Sequence, residues 1–266
     1  VRPLTLDSEM VKDGLEAVGT LTDKEPYMVV GGVATQSYLP SSCRRPTSDI
    51  DLALVRPLYN SQDFKTLSRP VYEYLMDNGY QVQSVKRHRT FNLDATNKEG
   101  DRILIEFARK NSKNFEVWRQ AFERELEHSR RKIIETRTST YSVVAPEDII
   151  VPKLSRTFST LERRPELRKD IPKDRMMLSD EYIKKRLDWI NKFRNDAMLT
   201  PGDLPLAEEL RFVSDIFDIR ILSEITGVNV GYFYKSLSSW NNLEESLKGD
   251  WALVDSLLPV IAKTHS

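Results

Sequence analysis

The chain has 266 residues, 39% hydrophobic and 30% charged, which is enough apolar material to bury a core in one large domain or two small ones. Forty basic and forty acidic residues cancel to zero net charge, so overall electrostatics do not mark a nucleic-acid binder, and no apolar run approaches the ~20 residues of a membrane span. A single cysteine, Cys43, excludes an intramolecular disulfide and a thiolate metal cluster; three scattered histidines argue against a histidine zinc site, and the absence of an apolar leader favours a cytoplasmic protein.

Asp7 and Ser8, followed by Met10, Val11, Leu15 and Val18, predict a short capped amphipathic helix. Tyr27 to Val30 is an apolar run stopped by Gly31 and Gly32, as expected of a buried strand ending at a tight turn. A helix is predicted from Val33 to Leu39, its N-terminus aimed where an anion would sit. Ile50 to Val55 is a second strand. Ser61 caps a helix carrying Phe64, Leu67, Val71 and Leu75, kinked at Pro70 and ended by Asn78 and Gly79. Gln81 to Ala95 and Arg102 to Ala108 read as a hairpin about residues 97–101. Asn114 to Ser129 repeats Phe115, Trp118, Phe122 and Leu126 at helical spacing, a core stripe. Short strands are expected at Lys132 to Glu135 and Tyr141 to Val144. From Ala145 onward only helices are predicted: Glu147 to Leu161, Glu181 to Asn195, Pro205 to Thr226 and Leu243 to Ala262. Residues 162–180, polar and proline-bearing, read as a mobile linker. The change of period divides an α/β domain (1–145) from a helical C-terminal domain (146–266).

The chemistry concentrates on Asp49 and Asp51. Two apart on a strand, they point the same way while Ile50 and Leu52 face the core. Paired hard oxygens suit Mg²⁺ (or Mn²⁺), which takes one or two carboxylates and fills its remaining positions with water and substrate phosphates. A third carboxylate, Glu106, lies in an apolar strand where an unpaired charge is costly. It either pairs with Arg102 or Arg109, or completes a three-carboxylate metal site. Basic clusters at 44–45, 86–89, 130–132 and 163–169 are solvated surface or, if several line one cleft, contacts for a nucleic-acid backbone.

The double glycine, the Asp49-Ile50-Asp51 strand and a later strand acid together resemble the nucleotidyltransferase superfamily related to DNA polymerase beta. Residues 143–154, with Lys153, are similar to the second motif of AbiEii-like nucleotidyltransferase toxins, and residues 214–222, with Asp215 and Asp218, to that family's later Asp-X-X-Asp motif. Pro152 either kinks the helix that carries Lys153 or begins it. The resemblance implies a nucleotidyltransferase-fold mixed sheet with flanking helices and a helical C-terminal domain completing the active-site cleft. It implies metal-dependent transfer of a nucleoside monophosphate from a nucleoside triphosphate to an acceptor hydroxyl. Asp49, Asp51 and Glu106 would hold metal, and Lys153 would add charge to the triphosphate. One of Asp215 and Asp218 would support catalysis; the other reading of that pair is a polar stripe beside core positions. Gly31, Gly32, Thr47 and Ser48 would contact phosphates, with Arg45 in the loop nearest the nucleotide. By the same resemblance the acceptor is RNA or protein, and a toxin role implies a cognate antitoxin. Two rivals remain: an antibiotic-type transferase with a small-molecule acceptor, which zero net charge favours, and a catalytically silent nucleotide-binding module.

Overall fold

The structure, a computed structural model, describes residues 4–21, 25–54, 60–87, 90–108, 115–171, 179–199, 202–240 and 242–264. The chain divides into two compact units: Val1–Ser37 with Pro46–Ala145, and Tyr38–Arg45 with Pro146–Ser266. The longer part of the second unit begins at Pro146. Tyr38–Arg45 is grouped with the helices, whereas the contiguous 1–145 reading keeps it with the sheet.

The first unit is a seven-stranded mixed sheet covered by helices. In chain order its elements are α1 (Glu9–Gly19), β1 (Tyr27–Val30), α2 (Gly31–Gln36), β2 (Asp49–Leu54), α3 (Ser61–Asp77), β3 (Gln81–Lys86), β4 (Thr90–Thr96), β5 (Arg102–Ala108), α4 (Phe115–His128), β6 (Arg130–Ile133) and β7 (Thr140–Val143). The strands are ordered β3-β4-β5-β2-β1-β7-β6. β2 lies antiparallel to β1 and parallel to β5, and β1 is parallel to β7. Three central strands thus meet at β2, with Val30 opposite Asp51 and Asp51 opposite Glu106.

Local chemistry accounts for most boundaries. Ser8 caps α1 by accepting from the Val11 amide. Asn60, not Ser61, caps α3, its Oδ1 accepting from the amides of Gln62 and Asp63 at 2.8 and 2.9 Å. Pro70 is carried inside continuous α3, where the buried face of Phe64, Leu67, Val71 and Leu75 offsets the roughly 3 kcal/mol that an interior proline costs. Phe64 stacks on Phe91 with ring centroids 5.0 Å apart and meets Phe107 edge-on at 5.3 Å, so α3 is fastened to β4 and β5 on the face away from the acids. The segment expected as one long strand, Gln81 to Ala95, is two antiparallel strands, β3 and β4; residues 88 and 89 between them lie outside the described residues. So do Val55, Arg109 and Asn114.

The second unit is helical. Its long members are α5 (Pro146–Arg163), α6 (Asp180–Leu199) and α7 (Leu204–Ile225), followed by α8 (Val230–Leu237), α9 (Leu243–Gly249), α10 (Trp251–Leu257) and α11 (Pro259–Ala262). α7 is the axis, packed by α5, α6 and α10, and residues 212–223 are buried on every side. α5 begins at Pro146 and passes through Pro152, so the helix does not start at Pro152. Within the stretch read as a mobile linker, Pro165–Asp170 is a 3₁₀ helix that buries Leu167; residues 172–178 lie outside the described residues. The last predicted helix, Leu243 to Ala262, is three. Asp250 re-caps the chain by accepting from the Leu253 amide, and Leu258, non-helical ahead of Pro259, ends α10. Among the described residues no helix is long and apolar enough to cross a membrane.

Candidate metal centre and a buried ion cluster

In the sheet unit, the alternation of β2 buries Ile50 and Leu52 and turns Asp49 and Asp51 to the opposite, half-exposed face. The parallel register with β5 sets Glu106 directly beside Asp51. One carboxylate oxygen from each of Asp49, Asp51 and Glu106 lies within 4.8 Å of the other two. Oxygens bound to one Mg²⁺ at about 2.1 Å stand at most about 4.2 Å apart. The bound of 4.8 Å is of the same order, so the three carboxylates are placed to converge on a divalent ion. The donors are all hard oxygens and half exposed, which suits a divalent cation with open positions. The triad can bind such a metal.

The alternative reading, Glu106 paired with an arginine, loses one partner. Arg102 donates from Nε and Nη2 to Asp94 across β4 and β5, and among the described residues no basic side chain pairs with Glu106. Arg109 lies outside the described residues.

The double glycine has a function in the structure that sequence inspection did not supply. Gly31 has φ of +70°, and a Cβ built there would stand 2.1 Å from Asp51 Oδ2. Glycine at 31 is what lets the β1–α2 turn close over the Asp51 carboxylate. The helix expected at Val33 to Leu39 begins two residues earlier, at Gly31 itself. Thr47, expected to touch phosphate, donates from Oγ1 to Asp49 Oδ1 at 2.8 Å and is buried, while Ser48 is exposed beside it.

The remaining candidates meet in the helical unit. Lys153 on α5 donates to Asp215 Oδ1 at 3.0 Å and lies 2.8 Å from Asp218 Oδ2, both acids being on α7. Arg45 grips Asp218 through two bonds of 2.8 and 2.7 Å, and Arg156 grips Asp215 at 2.9 and 3.0 Å. Asp218 is 0% exposed, Asp215 3% and Lys153 4%. Burial alone would raise the Asp215 carboxyl, but Lys153 and Arg156 outweigh it and hold the group below its ordinary range. Burial likewise opposes ionisation of Asp218, and Arg45 with Lys153 holds it low. Arg44, the other half of the first basic cluster, is buried and donates to the Leu39 carbonyl.

The sequence reading named Lys153, Asp215, Asp218 and Arg45 but not their mutual pairing, nor Arg156. A signal was present: bases three apart on one predicted helix, 153 and 156, match acids three apart on another, 215 and 218.

No family model matches this chain, and a comparison with curated proteins finds no match. Among solved structures, the chain is similar to the crystal structure of an antigenic nucleotidyltransferase-like protein from Paracoccidioides brasiliensis, at 14% identity and a TM-score of 0.44 over 97% of this chain and 96% of that one.

Proposed function

We infer that the chain is a metal-dependent nucleotidyltransferase, moving a nucleoside monophosphate from a nucleoside triphosphate to an acceptor hydroxyl with release of pyrophosphate. The observation that carries this reading is the convergence of Asp49, Asp51 and Glu106 within 4.8 Å on adjacent strands, beneath a glycine turn. Asp49, Asp51 and Glu106 would hold one or two divalent ions. Divalent ions bound there supply charge neutralisation at the α-phosphoryl group and lower the pKa of the attacking hydroxyl. The chain's own part is positional. The β2–β5 register fixes the spacing of Asp51 and Glu106, Thr47 orients Asp49, and Gly31 leaves the Asp51 carboxylate room. Gly31, Gly32 and Ser48 contact the β- and γ-phosphates of the incoming triphosphate.

The resemblance of residues 143–154 and 214–222 to AbiEii-like motifs supports the finer reading of a toxin acting on RNA or protein, partnered by an antitoxin. Within it Lys153, Asp215 and Asp218 are positioning residues, since their side chains already bond one another.

Incubation with α-labelled triphosphates, Mg²⁺ and total cellular RNA or protein tests the proposal. Labelled macromolecule is expected, with loss of at least about a thousandfold in Asp49→Ala/Asp51→Ala. Undiminished transfer by that double variant would refute the site. Label found only on an aminoglycoside would move the acceptor to a small molecule, and triphosphate binding without turnover on any acceptor would identify a silent module.

A further inference from the structure

We propose that the cavity between α5 and α7 binds a phosphomonoester carrying a flat ring, of the nucleoside monophosphate class. The cavity, of about 160 Å³, is lined from α5 by Arg156, Ser159, Thr160 and Arg163, and from α7 by Arg211. The α5 residues recur at three and four, so they share one face. Two carboxylates also reach the cavity, and both are already engaged: Glu208 by Arg163, and Asp215 by Arg156 and Lys153. Arg211 is exposed and among the described residues has no acidic partner, so its charge is offered to the cavity. The Thr160 hydroxyl has no hydrogen-bond partner among the described residues. Ser159 Oγ accepts from Arg163, which leaves its own proton to donate. Arg156 and Arg163 are engaged by these same acids, so the guanidinium of Arg211, with the Thr160 and Ser159 hydroxyls facing the same hollow, supplies the donors of an anion site.

Size narrows the ligand. Small-molecule pockets usually occupy roughly 300–1,000 Å³, so a cavity of about 160 Å³ admits a phosphoryl group but not a whole nucleotide. A second hollow of about 540 Å³ shares Arg211 and Glu208 with it and is bordered by Leu204, Pro205 and Ala207. Leu204 is 77% exposed, an apolar surface on which a base can lie. The phosphate enters the small cavity and the ring rests on Leu204 and Pro205. The site lies wholly within the helical unit and does not depend on the transferase reading.

Calorimetric titration of the full chain with AMP in EDTA, where the carboxylate triad holds no ion, tests the proposal. One equivalent should bind, more tightly than inorganic phosphate, ribose 5-phosphate or adenosine. Arg211→Glu should weaken AMP by about tenfold or more, and Arg211→Ala in the same direction by less, with unchanged melting temperatures. Asp49→Ala should bind AMP as the parent does, so loss of transferase activity and loss of this site are read separately. Absence of AMP binding, affinity equal to the parent's in both Arg211 variants, or loss of binding in Asp49→Ala would overturn the assignment. Ribose 5-phosphate or phosphate binding as tightly as AMP would overturn the place given to the ring.

Discussion

Two groups of carboxylates in this protein face the same electrostatic problem and resolve it differently. In the helical unit, Asp215 and Asp218 are almost fully buried and each is held by cations of the chain itself. In the sheet unit, Asp49, Asp51 and Glu106 are half exposed and crowd one another, with no basic partner for Asp49 or Glu106 among the described residues. Buried acids with internal partners have their charge balanced within the chain. Acids that converge on one another at a half-open face can take a cation from solution. The contrast explains why three carboxylates drawn from two strands carry the functional argument while the more tightly bonded cluster does not.

The comparison can be broken at either end. The largest stability effect is expected from Asp218→Ala, which removes the buried carboxylate that Arg45 and Lys153 share and leaves Lys153 with Asp215 alone. Removing one partner of a buried ion pair costs about 3–5 kcal/mol, measurable as a shift of the urea midpoint. A loss typical of a surface pair would contradict the description of this cluster. Acid unfolding sharpens the same point. Both carboxyls titrate below their unfolded value of about 3.9. Their contribution is therefore complete above that pH and lost as pH falls from there through the depressed folded values. Stability followed by circular dichroism should stay flat in this respect from pH 7 to 5 and drop below about pH 4, with a shallower acid limb in Asp218→Ala.

At the other end, Gly31→Ala should separate folding from metal binding. Its φ of +70° costs an L-residue about 1–2 kcal/mol. The new Cβ collides with the far end of the Asp51 side chain, which can rotate away. A folded variant with weakened Mn²⁺ affinity is expected, and unimpaired affinity would show that the turn does not govern Asp51. Thr47→Val should have the smallest effect. It removes the hydroxyl that orients Asp49 and should lower Mn²⁺ affinity by about tenfold, in a protein that melts close to the parent.

Legibility in the sequence follows the range of the interaction. Asp49 and Asp51 were readable because strand alternation is local, and Glu106 because an acid in an apolar strand stands out. Their meeting was not readable, since it depends on the parallel register of β2 and β5, strands separated by three intervening elements. Gly31 was singled out for closeness to phosphate, and the contact that requires it is with Asp51, invisible without that register. Among the helices, α8 escaped notice because eight residues hold little more than two turns of pattern. Pro152 and Pro70 misled because burial of the surrounding apolar face outweighs one missing hydrogen bond. The breaks at Asp250 and Leu258 carried local signals, a capping aspartate and a pre-proline residue, that a continuous apolar run concealed.

The central claim is that Asp49, Asp51 and Glu106 jointly hold a divalent cation. Electron paramagnetic resonance titration with Mn²⁺ measures it directly, without a nucleotide or an acceptor. Saturable binding by the parent chain is predicted, strongly weakened in each of Asp49→Asn, Asp51→Asn and Glu106→Gln and preserved in Asp215→Asn. Binding that survives all three triad substitutions, or that disappears with Asp215→Asn instead, would contradict the account.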